Sequence, residues 1–135
     1  MLYLDYDGVL HHENVLWHPR RVVYAGPPGF VLFEHAALLD ELMAPYPQMS
    51  IVPSTSWVRT YGCYGAAQRL PEGLGRRVIG ATFHNQMNEQ LLLMKPRGKQ
   101  MIEDVARRRP IGWLALDDTD EGWPDHPSDR VIVTD

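Results

Sequence analysis

Asp5 and Asp7 stand two residues apart where a short apolar stretch, Leu2 to Leu4, gives way to Gly8. Side chains alternate faces along a strand, so the two carboxylates start on the same side of the chain. Held together, they repel unless a cation or a shared proton relieves them. Gly8 lets the backbone turn sharply and approach a ligand that a Cβ would obstruct. A strand ending in a solvated Asp-Gly turn is the competing reading, and the tetrad alone does not exclude it.

Two more polar clusters bear on the choice. Ser54-Thr55-Ser56 follows the apolar pair Ile51-Val52, and Asp117-Asp118 follows Trp113-Leu114-Ala115-Leu116. Carboxylates from two strand ends suit one hard cation, and Mg²⁺ takes oxygen ligands from one or two carboxylates, water and substrate phosphate. A hydroxyl in the middle cluster would donate to a phosphoryl oxygen. The chain has two lysines, Lys95 and Lys99. An ammonium at a helix start opposes the helix dipole, which implies an anion or carboxylates nearby. Lys99, in Arg97-Gly98-Lys99 at the mouth of a helix, is the expected cation; Lys95 is followed by Pro96 and is placed in the loop.

The elements that must position these groups alternate between strand and helix. Residues 2–4, 51–52, 78–82, 113–116 and 130–133 read as five strands. Phe33 to Met43, Thr60 to Leu70 and the segment after Gly98 carry helical spacing. The last is the clearest, with Met101, Ile102, Val105 and Ala106 as its buried stripe and Arg107-Arg108-Arg109 at its dipole-favoured end. Residues 85–94 remain open between helix and strand. Between Asp7 and the first helix, His11 to Phe30 holds Val15-Leu16-Trp17 and Val22-Val23-Tyr24 among prolines and glycines, the pattern of a β-hairpin flap. The expected architecture is α/β: one Rossmann-like domain over residues 1–135, a mostly parallel five-stranded sheet with helices on both faces, a flap at 11–30 and no cap domain. Ligands of such a sheet bind at the C-terminal ends of its strands, where all three polar clusters fall.

Composition narrows the class. A length of 135 residues fits one domain. The formal charge of −4 disfavours a broad nucleic-acid face, though a local basic patch is compatible with it. The single cysteine, Cys63, offers neither a disulfide nor a zinc framework. No apolar run spans a bilayer and no signal peptide is evident, so a cytoplasmic protein without membrane partners is expected. Oligomeric state is left open.

The clusters, in this order and at these strand ends, resemble the four motifs of the haloacid dehalogenase (HAD) superfamily, most of whose members are Mg²⁺-dependent phosphohydrolases. The resemblance runs from Asp5 to Asp118. It implies that Asp5 is the nucleophile forming an aspartyl-phosphate, and that Asp7 protonates the leaving oxygen and then activates water. Thr55 would bind the phosphoryl group, with Ser54 or Ser56 as the substitute, and Lys99 would steady Asp5 and the phosphoryl charge. Asp117 and Asp118 would hold Mg²⁺ with Asp5 and the backbone carbonyl of Asp7; Gly8 and Trp57 would border the substrate. An Asp at position 7 points to phosphatase or phosphomutase chemistry rather than dehalogenation. Without room for a cap, the implied substrate is an accessible phosphate monoester, its size undetermined. The Asp-Tyr-Asp-Gly-Val-Leu-His opening and Ser-Thr-Ser-Trp also resemble small capless bacterial or phage members, some placed near RNA-repair enzymes. A nucleic-acid end phosphatase and a non-catalytic binding module are the alternatives.

Other residues invite functional readings against plainer ones. His11 and His12 point to opposite faces if extended, so at most one faces the site, and a surface-loop position is expected for either. Trp17, Trp57, Trp113 and Trp123 offer stacking faces, Trp113 being expected in the core. Arg20-Arg21, Arg59, Asp120 and Glu121 are expected on solvated surfaces.

Overall fold

The computed structural model describes residues 1–18, 21–84, 86–123 and 129–134, with the side chains of 17, 18 and 21–23 outside that description. Arg20 and the side chains of Trp17 and Arg21 therefore lie outside the described residues.

Four parallel strands form the sheet: β1 (Leu2–Leu4), β4 (Ile51–Pro53), β5 (Leu114–Asp117) and β6 (Val131–Val133), in the order β4-β1-β5-β6. The expected fifth strand at 78–82 does not form. Val78 makes one isolated parallel bridge to Ile51, and the segment then leaves the edge of β4, retaining a bond from Thr82 N–H to the Pro53 carbonyl. Gly80 and the exposed Ile79 break the alternation that a paired edge strand would need.

The hairpin of β2 (Val15–His18) and β3 (Arg21–Tyr24) is a separate antiparallel pair, as the 11–30 pattern predicts. Five helices complete the described fold: α1 (Ala36–Met43), α2 (Trp57–Gln68), α3 (Glu72–Gly75), α4 (Glu89–Leu93) and α5 (Arg97–Arg108). Short α4 makes residues 89–93 of the ambiguous 85–94 segment helical, capped by Asn88, whose side chain accepts from Leu91 N–H.

Alternation along β1 divides the core. Leu2 and Leu4 pack with Ile51, Met43, Val58, Ala66 and Leu74 beneath α1, α2 and α3, while Tyr3 packs with Val52, Ala115 and Met101 beneath α5. Helices thus cover both faces, and β1, buried on both, is the central strand. On the α5 side the Tyr3 hydroxyl donates to the fully buried Asp104 at 2.8 Å, and Arg108 Nε donates to the same carboxylate at 2.7 Å, with Arg107 also paired to it. This buried charge is neutralised and hydrogen-bonded, as burial requires. No helix among the described residues is long and apolar enough to cross a membrane.

Candidate active site

Strand register brings the polar clusters to one place. Leu4 pairs with Pro53 on one side and Leu116 on the other, so Asp5, Ser54 and Asp117 leave the three strands at the same level, Asp5 in the middle. Asp5 N–H donates to the Leu116 carbonyl and Ser54 N–H to the Leu4 carbonyl, holding that level past the strand ends.

Asp5, Asp117 and Asp118 converge, each offering one carboxylate oxygen within 4.8 Å of the others. Asp5 is 3% exposed and Asp117 fully buried. Burial pushes the Asp5 carboxyl up to about 6, against the Arg97 charge and the Tyr6 N–H that favour ionisation. Asp117 is pushed up to about 7, first by burial and then by the neighbouring Asp5 charge. Asp117 Oδ1 accepts from Thr119 N–H at 3.1 Å, whereas Asp117 Oδ2 is buried with no hydrogen-bond partner among the described residues. A buried, oxygen-only set with an orphaned carboxylate oxygen fits a hard divalent cation.

Gly8 is required by this packing. Its φ is +76°, and a Cβ there would lie 2.4 Å from Asp118 Oδ2. The turn is tied to the far edge of the sheet by Thr134 Oγ1, which donates to the Gly8 carbonyl at 2.8 Å.

The cation against the acidic group is Arg97, where Lys99 was expected. Arg97 Nη1 lies 3.3 Å from Asp5 Oδ1 and 3.7 Å from Asp117 Oδ2, and also donates to the Ser54 carbonyl. Lys99 is exposed two residues further along α5, and Lys95 pairs with Glu103 at 2.6 Å. The reason is helix phase. Pro96 caps α5, so Arg97 is its first residue and Lys99 points some 200° away around the axis. Proline at the entrance of a helix is the signal that would have placed the start there. Gly98 seats this turn: its N–H donates to the Glu121 carbonyl, and a Cβ would lie 2.7 Å from Trp123 N.

Asp7 is not in the convergent group. The strand ends at Leu4, so the period of two does not carry through to residue 7. Its carboxylate, 22% exposed, turns to His11 and Trp57: Asp7 Oδ1 accepts from Trp57 Nε1 at 2.8 Å and lies 2.7 Å from His11 Nε2. His11, expected on a surface loop, is 1% exposed because the backbone turns after Gly8, Gly8 N–H bonding the His11 carbonyl. No residue type in the sequence signals this return. Trp57 is also buried, its ring packed with Tyr6, His11, Phe33 and Tyr61, so its indole N–H rather than a stacking face reaches the site.

Thr55 is buried next to Ser54, its Oγ1 accepting from Trp57 N–H at 3.3 Å, while Ser54 Oγ is buried and unbonded among the described residues. Ser56 is the half-buried N-cap of α2 and makes no side-chain cap bond. Elsewhere, Arg59 pairs with Glu89 at 3.5 Å, and Trp113 stacks on Trp123 and meets Tyr3 edge-on.

No curated protein and no solved structure matches the chain. The HAD domain in Swiss Army Knife RNA repair proteins matches it over residues 1–135. Three strand ends bring together an acidic group that could hold a cation and a hydroxyl cluster, the start of α5 sets an arginine against them, and this chain belongs to that HAD family.

Proposed function

We propose that this chain, as one domain with its 11–30 insertion, is a Mg²⁺-dependent phosphatase that removes terminal phosphate from nucleic acid through an aspartyl-phosphate on Asp5. The observation that carries the reading is the buried Asp5, Asp117 and Asp118 group with Arg97 against it. A carboxylate nucleophile must approach an anion, which demands neutralising charge at the point of attack.

Asp5 attacks phosphorus, and the ester P–O bond breaks as Asp7 gives its proton to the leaving oxygen. Asp7 then takes a proton from water, whose oxygen attacks phosphorus and breaks the Asp5–phosphorus bond, releasing inorganic phosphate and restoring both residues. Thr55, or Ser54 beside it, hydrogen-bonds the phosphoryl oxygens. Arg97 neutralises them in the role first expected of Lys99, and its planar fork can meet two oxygens at once. Mg²⁺, held by Asp5, Asp117 or Asp118 and the Asp7 carbonyl, supplies the remaining charge neutralisation.

The nucleic-acid end is favoured over a small phosphate ester by the repair setting of the family. The net charge of −4 agrees with recognition of an end rather than a long stretch of backbone. A cavity of about 480 Å³ beside Gly8 and Asp118, lined by His12, Glu13, Phe30, His35 and Thr134 and, among the described residues, by no lysine or arginine, suits an uncharged nucleoside better than a second phosphate. A non-catalytic module has no need of Asp7 and Arg97 together.

The test is a substrate panel with Mg²⁺: RNA and DNA oligonucleotides phosphorylated at the 3′ or 5′ end, against free nucleotides and sugar phosphates. Preference for an oligonucleotide end supports the proposal. Faster turnover of sugar phosphates would reject the nucleic-acid substrate while leaving the chemistry intact.

A further inference from the structure

We infer that His11 and Trp57 are positioning residues that clamp one oxygen of Asp7 so that only the other can exchange a proton with the leaving group. The inference rests on the phosphatase reading and gives His11 and Trp57 a role that the nucleophile, acid-base, phosphate-binding and cation assignments leave open.

Trp57 Nε1–H is a donor only, so Asp7 Oδ1 must accept from it at 2.8 Å. His11 is resolved by its other nitrogen. Phe33 N–H donates to His11 Nδ1 at 3.2 Å, so Nδ1 carries a lone pair and the ring proton sits on Nε2, aimed at Asp7 Oδ1 at 2.7 Å. Two N–H groups on one oxygen make Oδ1 the carbonyl-type oxygen whenever Asp7 carries a proton. That proton is then on Oδ2, and the clamp selects which oxygen faces the ester.

Both donors are fixed in turn. The His11 ring meets Phe33 edge-on, centroids 4.8 Å apart at 80°, and the Trp57 ring packs against both. Phe33 lies beyond the hairpin insertion and holds φ +59°, a left-handed conformation uncommon for an aromatic residue. Trp57 opens α2 directly after the hydroxyl cluster, its own N–H on Thr55 Oγ1. The acid-base group is thereby referenced to the end of the flap and to the loop proposed to bind phosphate. Local positioning of this kind acts on the chemical step and leaves substrate binding largely aside.

The test compares kcat/KM for an alkyl or nucleoside phosphate with that for 4-nitrophenyl phosphate in the wild type, His11→Leu, His11→Gln and Trp57→Phe. The ratio kcat/KM reports events up to the first irreversible step, so the later hydrolysis of the aspartyl-phosphate does not enter. Nitrophenolate leaves without a proton and the alcohols do not. His11→Leu and Trp57→Phe should lower the alcohol-to-nitrophenol ratio by about 10-fold to 100-fold, part of what a general acid supplies. His11→Gln, which keeps an N–H near the Nε2 position, should restore much of it. Equal loss on the two substrates would overturn the inference, because misfolding or a merely structural role acts on both alike. NMR of the metal-free protein gives a readout independent of turnover. The His11 Nε2 and Trp57 Nε1 protons should resonate downfield and both move in Asp7→Ala. A His11 ring protonated at Nδ1 would overturn the clamp. Should the wild type hydrolyse neither ester, the phosphatase reading and the catalytic use of the clamp fall together, while the NMR signals still decide whether the clamp exists.

Discussion

Replacing Asp5 by Asn should stabilise the metal-free protein at neutral pH. Asp5 has its carboxyl moved from an ordinary 3.8 to about 6 by burial. The folded state therefore holds this proton more tightly than the unfolded chain. Its stabilising effect is complete below 3.8 and is lost as pH rises through about 6. By pH 7.5 the ionised carboxylate costs the folded state about 3 kcal/mol, at about 1.4 kcal/mol for each pH unit. Asp117, pushed to about 7, adds a loss of the same sign that extends to higher pH. Asn stands in for the neutral carboxyl but sets an amide against Arg97, 3.3 Å away, and against Tyr6 N–H in a place shaped for a carboxyl, which offsets part of the gain. A net stabilisation of about 1–2 kcal/mol remains, or roughly 3–8 °C in Tm for a domain of this size. The assay is thermal unfolding in EDTA from pH 5 to 8, repeated with Mg²⁺. The variant should melt above the wild type at pH 7.5, and the gap should narrow toward pH 5. Mg²⁺ should close the gap, because it binds the folded wild type and weakens on loss of a ligand. A variant that melts at or below the wild type throughout this range in EDTA would show that the buried Asp5 carboxylate does not destabilise the fold.

Three more outcomes are expected. Arg97→Ala should lower kcat/KM by about 100-fold or more, the scale of removing a charged transition-state contact, whereas Lys99→Ala should change it less than about 2-fold because exposed side chains rarely matter this way; steady-state kinetics on the two variants decides which cation serves the site. Gly8→Ala, with its Cβ 2.4 Å from Asp118 Oδ2 on a backbone of φ +76°, should raise the Mg²⁺ concentration for half-activation about 10-fold or more, read from a metal titration. Asp104→Ala should cost about 3–5 kcal/mol in urea unfolding, since it strips the partner from Arg108 at 2.7 Å and from the Tyr3 hydroxyl inside the core.

The site's carboxylates were readable because each sits where an apolar run ends, and parallel register then brings those ends level without further information. Asp5, Asp117 and Asp118 follow from that logic alone. Arg97 did not, since its place depends on which residue begins α5, and a shift of two positions turns the side chain to the opposite side of the helix. His11 was illegible for another reason. It reaches Asp7 through a backbone turn closed by Gly8 N–H and through Phe33 N–H far along the chain, contacts that no local periodicity encodes. The fifth strand at 78–82 failed because a short apolar run has strand character whether or not the edge beside it accepts a full ladder; only the bridge at Val78 was realised.

The most direct measurement is acid-quenched labelling with a 3′-phosphorylated RNA oligonucleotide carrying radioactive phosphorus in its terminal phosphate, in the presence of Mg²⁺. A nucleophilic Asp5 predicts a transient phosphoryl label on the peptide containing Asp5, followed by inorganic phosphate, with neither formed by Asp5→Asn. Release of phosphate by Asp5→Asn at the wild-type rate, or a label on any other residue, would contradict it.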